Sequence, residues 1–311
     1  MPPPIYITSE IDQHLYQADV ITLSVSGGKD SQAMTLAMIT YIHDMMQTGW
    51  NGDVYLWHAD LGRMAWPQSI HHCQQLANHI ERRLVTYALK QDLLHTIDER
   101  IAKTKGHSAF PSAQARYCTS KHKRDAYNLY IRHTYPTDTV IINVMGFRDA
   151  ESMSRKNRQP LTPRTKCTAI TKKRWVYDYL PIKHYSEADV WETIGYSLDD
   201  INQIRQSYQD ADPTTRKNLL TKHPNIHPAY IAGSDRCSCS CCIMASPNDL
   251  RVGANLNPTI YLNLVQREIT TGYSYQPTRW LGDIAPHLLS EDMRQQLDAV
   301  KLKRSQQPTL L

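Results

Sequence analysis

Residues 24–31 of this 311-residue chain read Ser-Val-Ser-Gly-Gly-Lys-Asp-Ser and directly follow the apolar run Val20 to Leu23. A strand that runs into a glycine turn, a lysine and then a helix builds a site for an anion. Gly27 and Gly28 let the backbone approach a phosphate with no Cβ in the way. The helix behind them directs its unpaired N–H groups and the positive end of its dipole at the same place. Lys29 adds a full charge, Ser26 and Ser31 add hydroxyl donors, and Asp30 is placed to hold Mg²⁺ against the phosphates. The spacing Gly-x-x-x-x-Gly-Lys of the Walker loop is absent.

A second chemistry is written in the cysteines. There are seven, an odd number, and four of them crowd into residues 237–242. A secreted disulfide framework does not look like this; such crowding reads as metal binding or redox chemistry. His223 and His227 stand at His-x₃-His spacing just upstream, which keeps a Cys₂His₂ zinc site open as an alternative. Cys73 and Cys167 read as ordinary thiols, although the basic surroundings of Cys167 would favour its thiolate.

The elements that must position these residues alternate. Strands are expected at Val20–Val25, Val54–His58, Leu84–Leu89, Thr139–Met145 and Tyr177–Ile182, with helices over 30–48, 66–82, 92–103, 119–132 and 186–194. That alternation implies βαβ units, hence an α/β fold with a doubly wound parallel sheet and ligands at the carboxyl ends of its strands. The glycine loop, Asp60 after the second strand and Gly146 after the 139–145 strand would share one edge. Residues 148–174 turn polar and basic with little periodicity. Beyond them, 199–222 reads as broken helix, 223–247 as a Pro-, Gly- and Cys-rich loop, 258–270 as the last clear helix and 303–311 as a frayed tail. The domain expectation is an α/β unit over 1–195 and a mostly helical, cysteine-bearing region over 196–311.

Bulk properties set limits. With 41% hydrophobic residues the chain can bury a substantial core, and a net charge of +5 makes it mildly basic, compatible with nucleic acid without pointing to it. No apolar run approaches a membrane span and the first residues lack the regions of a signal peptide, so a cytoplasmic protein with no membrane partner is expected.

Residues 26–31 resemble the PP-loop, Ser-Gly-Gly-x-Asp-Ser, of the adenine-nucleotide α-hydrolase superfamily, whose members split ATP between its α and β phosphates and release pyrophosphate. Further segments resemble the phosphoadenosine-phosphosulfate (PAPS) reductase-like branch: His58-Ala-Asp60-Leu-Gly62, Arg116-Tyr-Cys118-Thr119, Gly146-Phe-Arg148-Asp-Ala-Glu151-Ser152-Met-Ser-Arg155, Leu180-Pro-Ile182 with Asp189-Val-Trp191, and Asp235-Arg-Cys237-Ser-Cys239-Ser-Cys241-Cys242-Ile243. The likeness runs from about residue 20 to 270. It implies a nucleotide site of Ser24, Ser26, Gly27, Gly28, Lys29, Asp30, Ser31, Asp60, Gly146, Arg148, Glu151 and Arg155, with Lys29, Asp30 and Arg148 catalytic. It also implies Cys118, Cys239 and Cys242 as ligands of a [4Fe–4S] cluster, which either leaves one iron open to bind a sulfide or is closed by a fourth ligand, Cys237 or Cys241. Zinc remains the alternative occupant.

Within that branch the chain resembles the ATP pyrophosphatase subunits of DNA phosphorothioation systems of the Dnd and Ssp types, and phage PAPS reductase-like proteins. The resemblance implies ATP and Mg²⁺, a nucleic-acid acceptor (DNA ahead of tRNA), a cysteine desulfurase as sulfur donor, and other subunits of a modification complex. Alternatives are a PAPS or APS reductase, an ATP sulfurylase small subunit, a tRNA thiolation enzyme and a non-catalytic ATP-binding subunit. A true PAPS reductase fits less well, because that family's phosphate loop generally lacks this lysine and its catalytic cysteine has no counterpart after Cys242. The sulfurylase would leave the Cys-x-x-Cys region unexplained.

Overall fold

The computed structural model describes residues 3–104 and 106–306. Its centre is a six-stranded sheet of β1 (Val20–Val25), β2 (Asp53–Asp60), β3 (Leu84–Ala88), β4 (Thr139–Met145), β5 (Leu161–Pro163) and β6 (Arg174–Tyr179). In space the order is β3-β2-β1-β4-β6-β5, and every pairing is parallel except the short edge pairing of β5 with β6. The near-continuous burial of β1 is what a strand covered by helices on both faces requires. The order reverses at β1, with β2 and β3 on one side and β4 on the other. That reversal opens a crevice at the carboxyl ends of β1 and β4, where doubly wound sheets bind ligands.

The helix Lys29–Gln47 follows β1 and buries Met34, Met38, Ile42 and Met45 against the sheet. On the sheet's centre line, however, polar side chains replace apolar ones. Asn143 of β4 accepts from Ser24 at 2.7 Å and donates to Asp178 of β6 at 2.7 Å. Asp178 also accepts from Arg164 Nη1 at both oxygens, at 2.7 and 2.8 Å. Thr22 and Tyr127 share a further hydrogen bond at 2.7 Å. A buried network of this kind is tolerable only because its members satisfy one another, and it ties the edge of the sheet to β1.

Several elements differ from the sequence expectation. The second helix begins at Ser69 rather than 66, after a 3₁₀ turn at Gly62–Met64. The strand expected at Tyr177–Ile182 lies three residues earlier, and the polar 148–174 stretch contains the edge strand β5. Helices Pro247–Leu256 and Glu291–Ser305 were not foreseen. The first starts from a Ser246 cap and a proline inside the supposed loop, a regular start signal. The second is highly polar, with Leu297 its one buried residue, so its apolar period is faint. It also carries helix into the stretch expected to fray; residues 307–311 of that stretch lie outside the described residues. The 199–222 break falls at Asp212-Pro213, where Asp212 caps the next helix.

Two cores result. The first packs the Lys29–Gln47 helix and β1 with Trp191, and also draws in Ile201, Ile226, Tyr230 and Ile231. The second joins Leu61, Met64, Leu93, Leu94 and Ile97 to residues of 241–297. Its bolt is Glu268, fully buried, which accepts from the backbone N–H of Tyr275 at 2.6 Å, Leu281 at 2.7 Å and Gly282 at 3.0 Å. Glu268→Ala orphans three buried amides, and we expect a loss of about 3 kcal/mol or more, read as a lower urea midpoint at unchanged m-value.

Candidate functional site

The glycine turn lies at the sheet's switch point. Gly27 takes φ +80°, and a Cβ there would stand 3.1 Å from Ser69, the first residue of the helix after β2. Gly28 caps the Lys29 helix without a side chain of its own. Ser26 and Ser31 close the turn, with the Ser26 N–H donating to Ser31 Oγ at 3.1 Å and Ser31 Oγ donating to the Gly28 carbonyl at 2.9 Å. Their hydroxyls therefore shape the loop, and Ser24 belongs to the polar network in the sheet. The loop, Asp60 and Gly146 do share one edge, since β2, β1 and β4 are neighbours.

Gly146 has a role the sequence did not suggest. A Cβ on it would come within 2.4 Å of the Asp30 carbonyl oxygen and 3.0 Å of Ser31 Cα. A close approach is made to the first turn of the Lys29 helix. That contact puts Arg148 beside Asp30, where its Nε donates to Oδ1 at 2.5 Å and its Nη1 to the Tyr185 carbonyl at 3.4 Å. Glu151 caps the same turn by accepting from the Arg148 N–H at 3.0 Å, and it pairs with Arg155. Burial, with Arg236 adding its repulsion, lowers the Arg155 guanidinium to about 10.

Lys29 is almost wholly buried. Its Nζ donates to the Asp235 carbonyl at 2.9 Å, meets Glu187 at 3.3 Å and lies 5.0 Å from the centre of the Tyr230 ring. Beside the loop opens a cavity of about 430 Å³, bordered by His58, Asp60, Trp66, Ser69, Ile260 and Asn263 among others. Asp60 stands at its edge and accepts from the Gly62 N–H at 2.8 Å. Below it, His72 and His227 stack edge to face at 5.8 Å. Burial drives both imidazoles down, to about 4 and about 3, so both are neutral at pH 7.

The cysteines divide into three environments. Cys118, Cys239 and Cys242 are neighbours. Burial pushes the Cys239 thiol up to about 12, Cys242 and Cys118 push the same way, and Lys123 pulls it down. The Met244 N–H donates to Cys242 Sγ at 3.5 Å. Cys241 faces the second core instead. Cys237 lies against the phosphate loop, its Cβ 3.5 Å from where a Gly28 Cβ would be, with Cys73 and Ser69 as neighbours. Cys118, Cys239 and Cys242 are soft donors of the kind an iron–sulfur group takes. Yet among the described residues no three metal-ligating side chains converge closely enough to hold an ion. His227 caps the turn at Pro228–Ile231 through its Nδ1 and shares a hydrogen bond with Ser69, while His223 packs on Tyr196. The two histidines therefore work in separate places.

Sequence reasoning overlooked four residues here. Trp66 and Ser69 follow the matched segment after β2 closely and could have been suspected from that. Lys123 and Tyr230 carried no signal. Nor is the basic stretch a uniform surface. Arg148, Arg155 and Arg164 are paired with carboxylates, and Arg174 is buried, donating to the carbonyls of Cys167, Tyr135 and Pro136 at 2.8–3.0 Å. Lys156, Arg158, Lys166, Lys172 and Lys173 stay exposed.

The model of the phosphoadenosine phosphosulfate reductase domain matches residues 20–208. The chain belongs to this family. The chain is also similar to several solved structures. The FMN adenylyltransferase of Candida glabrata with FAD and inorganic pyrophosphate is 13% identical, with 60% of this chain and 52% of that chain covered at a TM-score of 0.41. This chain thus spans about half the length of that enzyme. The PAPS reductase of Candida auris in a phosphate complex is 15% identical (62% and 88% covered, TM-score 0.33), and the NAD⁺ synthetase of Burkholderia pseudomallei 14% (93% and 82%, 0.35). No curated protein matches the chain. No helix among the described residues is long and apolar enough to cross a membrane.

Two outcomes are expected from this geometry. Gly146→Ala should cost about 1–3 kcal/mol in urea denaturation through overpacking against the Asp30 backbone. In metal-free protein, alkylation of Cys239 should rise about tenfold per pH unit from pH 7 to 10, because the thiolate is the nucleophile and its titration lies above that window.

Proposed function

We propose that this PAPS reductase-family chain is an ATP pyrophosphatase that adenylates a nucleic-acid acceptor for sulfur insertion. The DNA backbone is the foremost acceptor, as the resemblance to DNA phosphorothioation subunits implies. The observation that carries the reading is the glycine turn with Lys29 at the switch point, next to an open cavity of about 430 Å³. Trp66, Ile70, Leu94 and Ile260 offer that cavity apolar surface for a base, and Asp60, Asn257 and Asn263 offer partners for ribose hydroxyls.

In this reading an acceptor oxygen attacks the α-phosphorus. The new P–O bond forms as the bond to the bridging α–β oxygen breaks, and pyrophosphate leaves with the negative charge. Lys29 and the loop amides stabilise that charge. Asp30 gives Arg148 one oxygen and offers the other to Mg²⁺, and Arg148 is thereby held toward the α-phosphate.

Cys118, Cys239 and Cys242 are the residues that would hold an iron–sulfur cluster, whose chemistry when bound would be to supply a sulfide. Cys237 is set aside as fourth ligand because it stands at the phosphate loop. A cysteine desulfurase as donor, partner subunits of a modification complex and a cytoplasmic setting complete the proposal. Lys156, Arg158, Lys166, Lys172 and Lys173 are the cations left free for a polyanion.

Pyrophosphate release from ATP with DNA present tests the reading. Lys29→Ala should lower it by at least ~10²-fold, and Asp30→Asn should remove its Mg²⁺ dependence. Turnover that survives both changes sinks the assignment. Anaerobic purification with iron and acid-labile sulfide analysis tests the cysteines: wild type should carry iron, and the Cys239→Ser, Cys242→Ser double variant should not.

A further inference from the structure

The donors that a phosphate would need are already engaged, and by one segment of the chain. The Lys29 N–H, the first amide of the helix, donates to the Tyr230 hydroxyl at 3.1 Å. The Lys29 ammonium donates to the Asp235 carbonyl at 2.9 Å. A Cβ on Gly28 would meet the Cys237 carbonyl at 3.1 Å and the Tyr230 hydroxyl at 3.2 Å. Oxygens of residues 230–237 thus stand where oxygens of an anion would be expected.

The segment is a strap fastened at both ends. At one end Asp249 accepts from Ser234 Oγ at 2.7 Å and from the Asp235 N–H at 2.8 Å, and Arg205 holds the Ser234 carbonyl at 2.8 Å. At the other, Cys239 bridges to Ala65 and the Ser240 N–H donates to the Met64 carbonyl at 3.3 Å. Ala65 also borders the cavity beside the loop. Between the fastenings, the Arg236 carbonyl accepts from Ser234 Oγ at 2.9 Å, and Cys237 stands against Gly28 of the phosphate loop.

We propose that the Asp235–Cys239 strap blocks the phosphate loop in the nucleotide-free protein, and that a nucleotide's triphosphate displaces it, uncovering Cys237. The inference rests on the reading of the loop as an ATP site. It makes access to the cysteine loop conditional on nucleotide. Because only the open form binds, the closed strap lowers the apparent nucleotide affinity by the open fraction.

The test uses the full chain with AMP-CPP and Mg²⁺, whose α–β bond cannot be cleaved. Binding is measured by calorimetry. Iodoacetamide labelling is read residue by residue by mass spectrometry, with amide hydrogen exchange over 234–240 as a thiol-independent readout. Saturating AMP-CPP should raise Cys237 labelling about fivefold or more and speed exchange in the strap, while buried Cys73 and Cys241 stay unchanged. Tyr230→Phe keeps the ring but removes the hydroxyl that accepts from the Lys29 N–H. It should label Cys237 without nucleotide and bind AMP-CPP about three- to tenfold more tightly. Binding with unchanged labelling and exchange overturns the strap but leaves the ATP site standing. Failure of both wild type and Tyr230→Phe to bind AMP-CPP overturns the ATP reading and this inference with it.

Discussion

Everything at the site depends on how closely β4 can approach the first turn of the Lys29 helix. The approach is backbone to backbone, and Gly146 is the residue that permits it. With the strand end held there, the next residues leave the sheet at a position where Arg148 reaches Asp30 and nothing else carboxylic. A side chain at 146 would widen the switch-point crevice, separate that ion pair and misdirect the guanidinium. The glycine thus sets the width of the crevice through backbone contact.

Much of the fold was legible because the chain states it locally. β1 and β4 are mostly apolar runs of strand length, the Lys29 helix repeats methionines at helical spacing, and Ser186 and Ser197 announce helices with capping boxes. What stayed hidden was non-local. Glu268 reads as a surface acid on a helix, and only the return of residues 275–282 turns it into a bolt. Tyr230 reads as one of many tyrosines, and only the packing of the 226–231 segment into the first core brings its hydroxyl to Lys29.

The basic stretch shows the same limit from the other side. A run of arginines and lysines looks uniform in one dimension. Burial separates it into guanidiniums that fasten the sheet edge, as Arg164 and Arg174 do, and lysines left to solvent. Arg suits the first task because its planar fork meets several carbonyls or a carboxylate at once. The cysteines divide similarly. The spacing within 237–242 says they are close, but not that one faces a core, another a phosphate loop and others each other.

The helix that carries Cys118 is not α-helical throughout. Residues Ser120–Asp125 form a wider π turn between Tyr117–Thr119 and Ala126–Thr134. Such a turn holds one residue more than an α-helix would spend, and it sets Lys123 where its charge is felt by both His58 and Cys239. Removing one residue would restore the regular phase and swing the preceding turn by about 100°, carrying Cys118 off its present bearing. In evolutionary terms the turn is a detachable insert. A single-codon deletion there would change where Cys118 stands relative to Cys239 and Cys242, while the bridge of Cys239 to Ala65 would still tie the cysteine loop to the nucleotide domain.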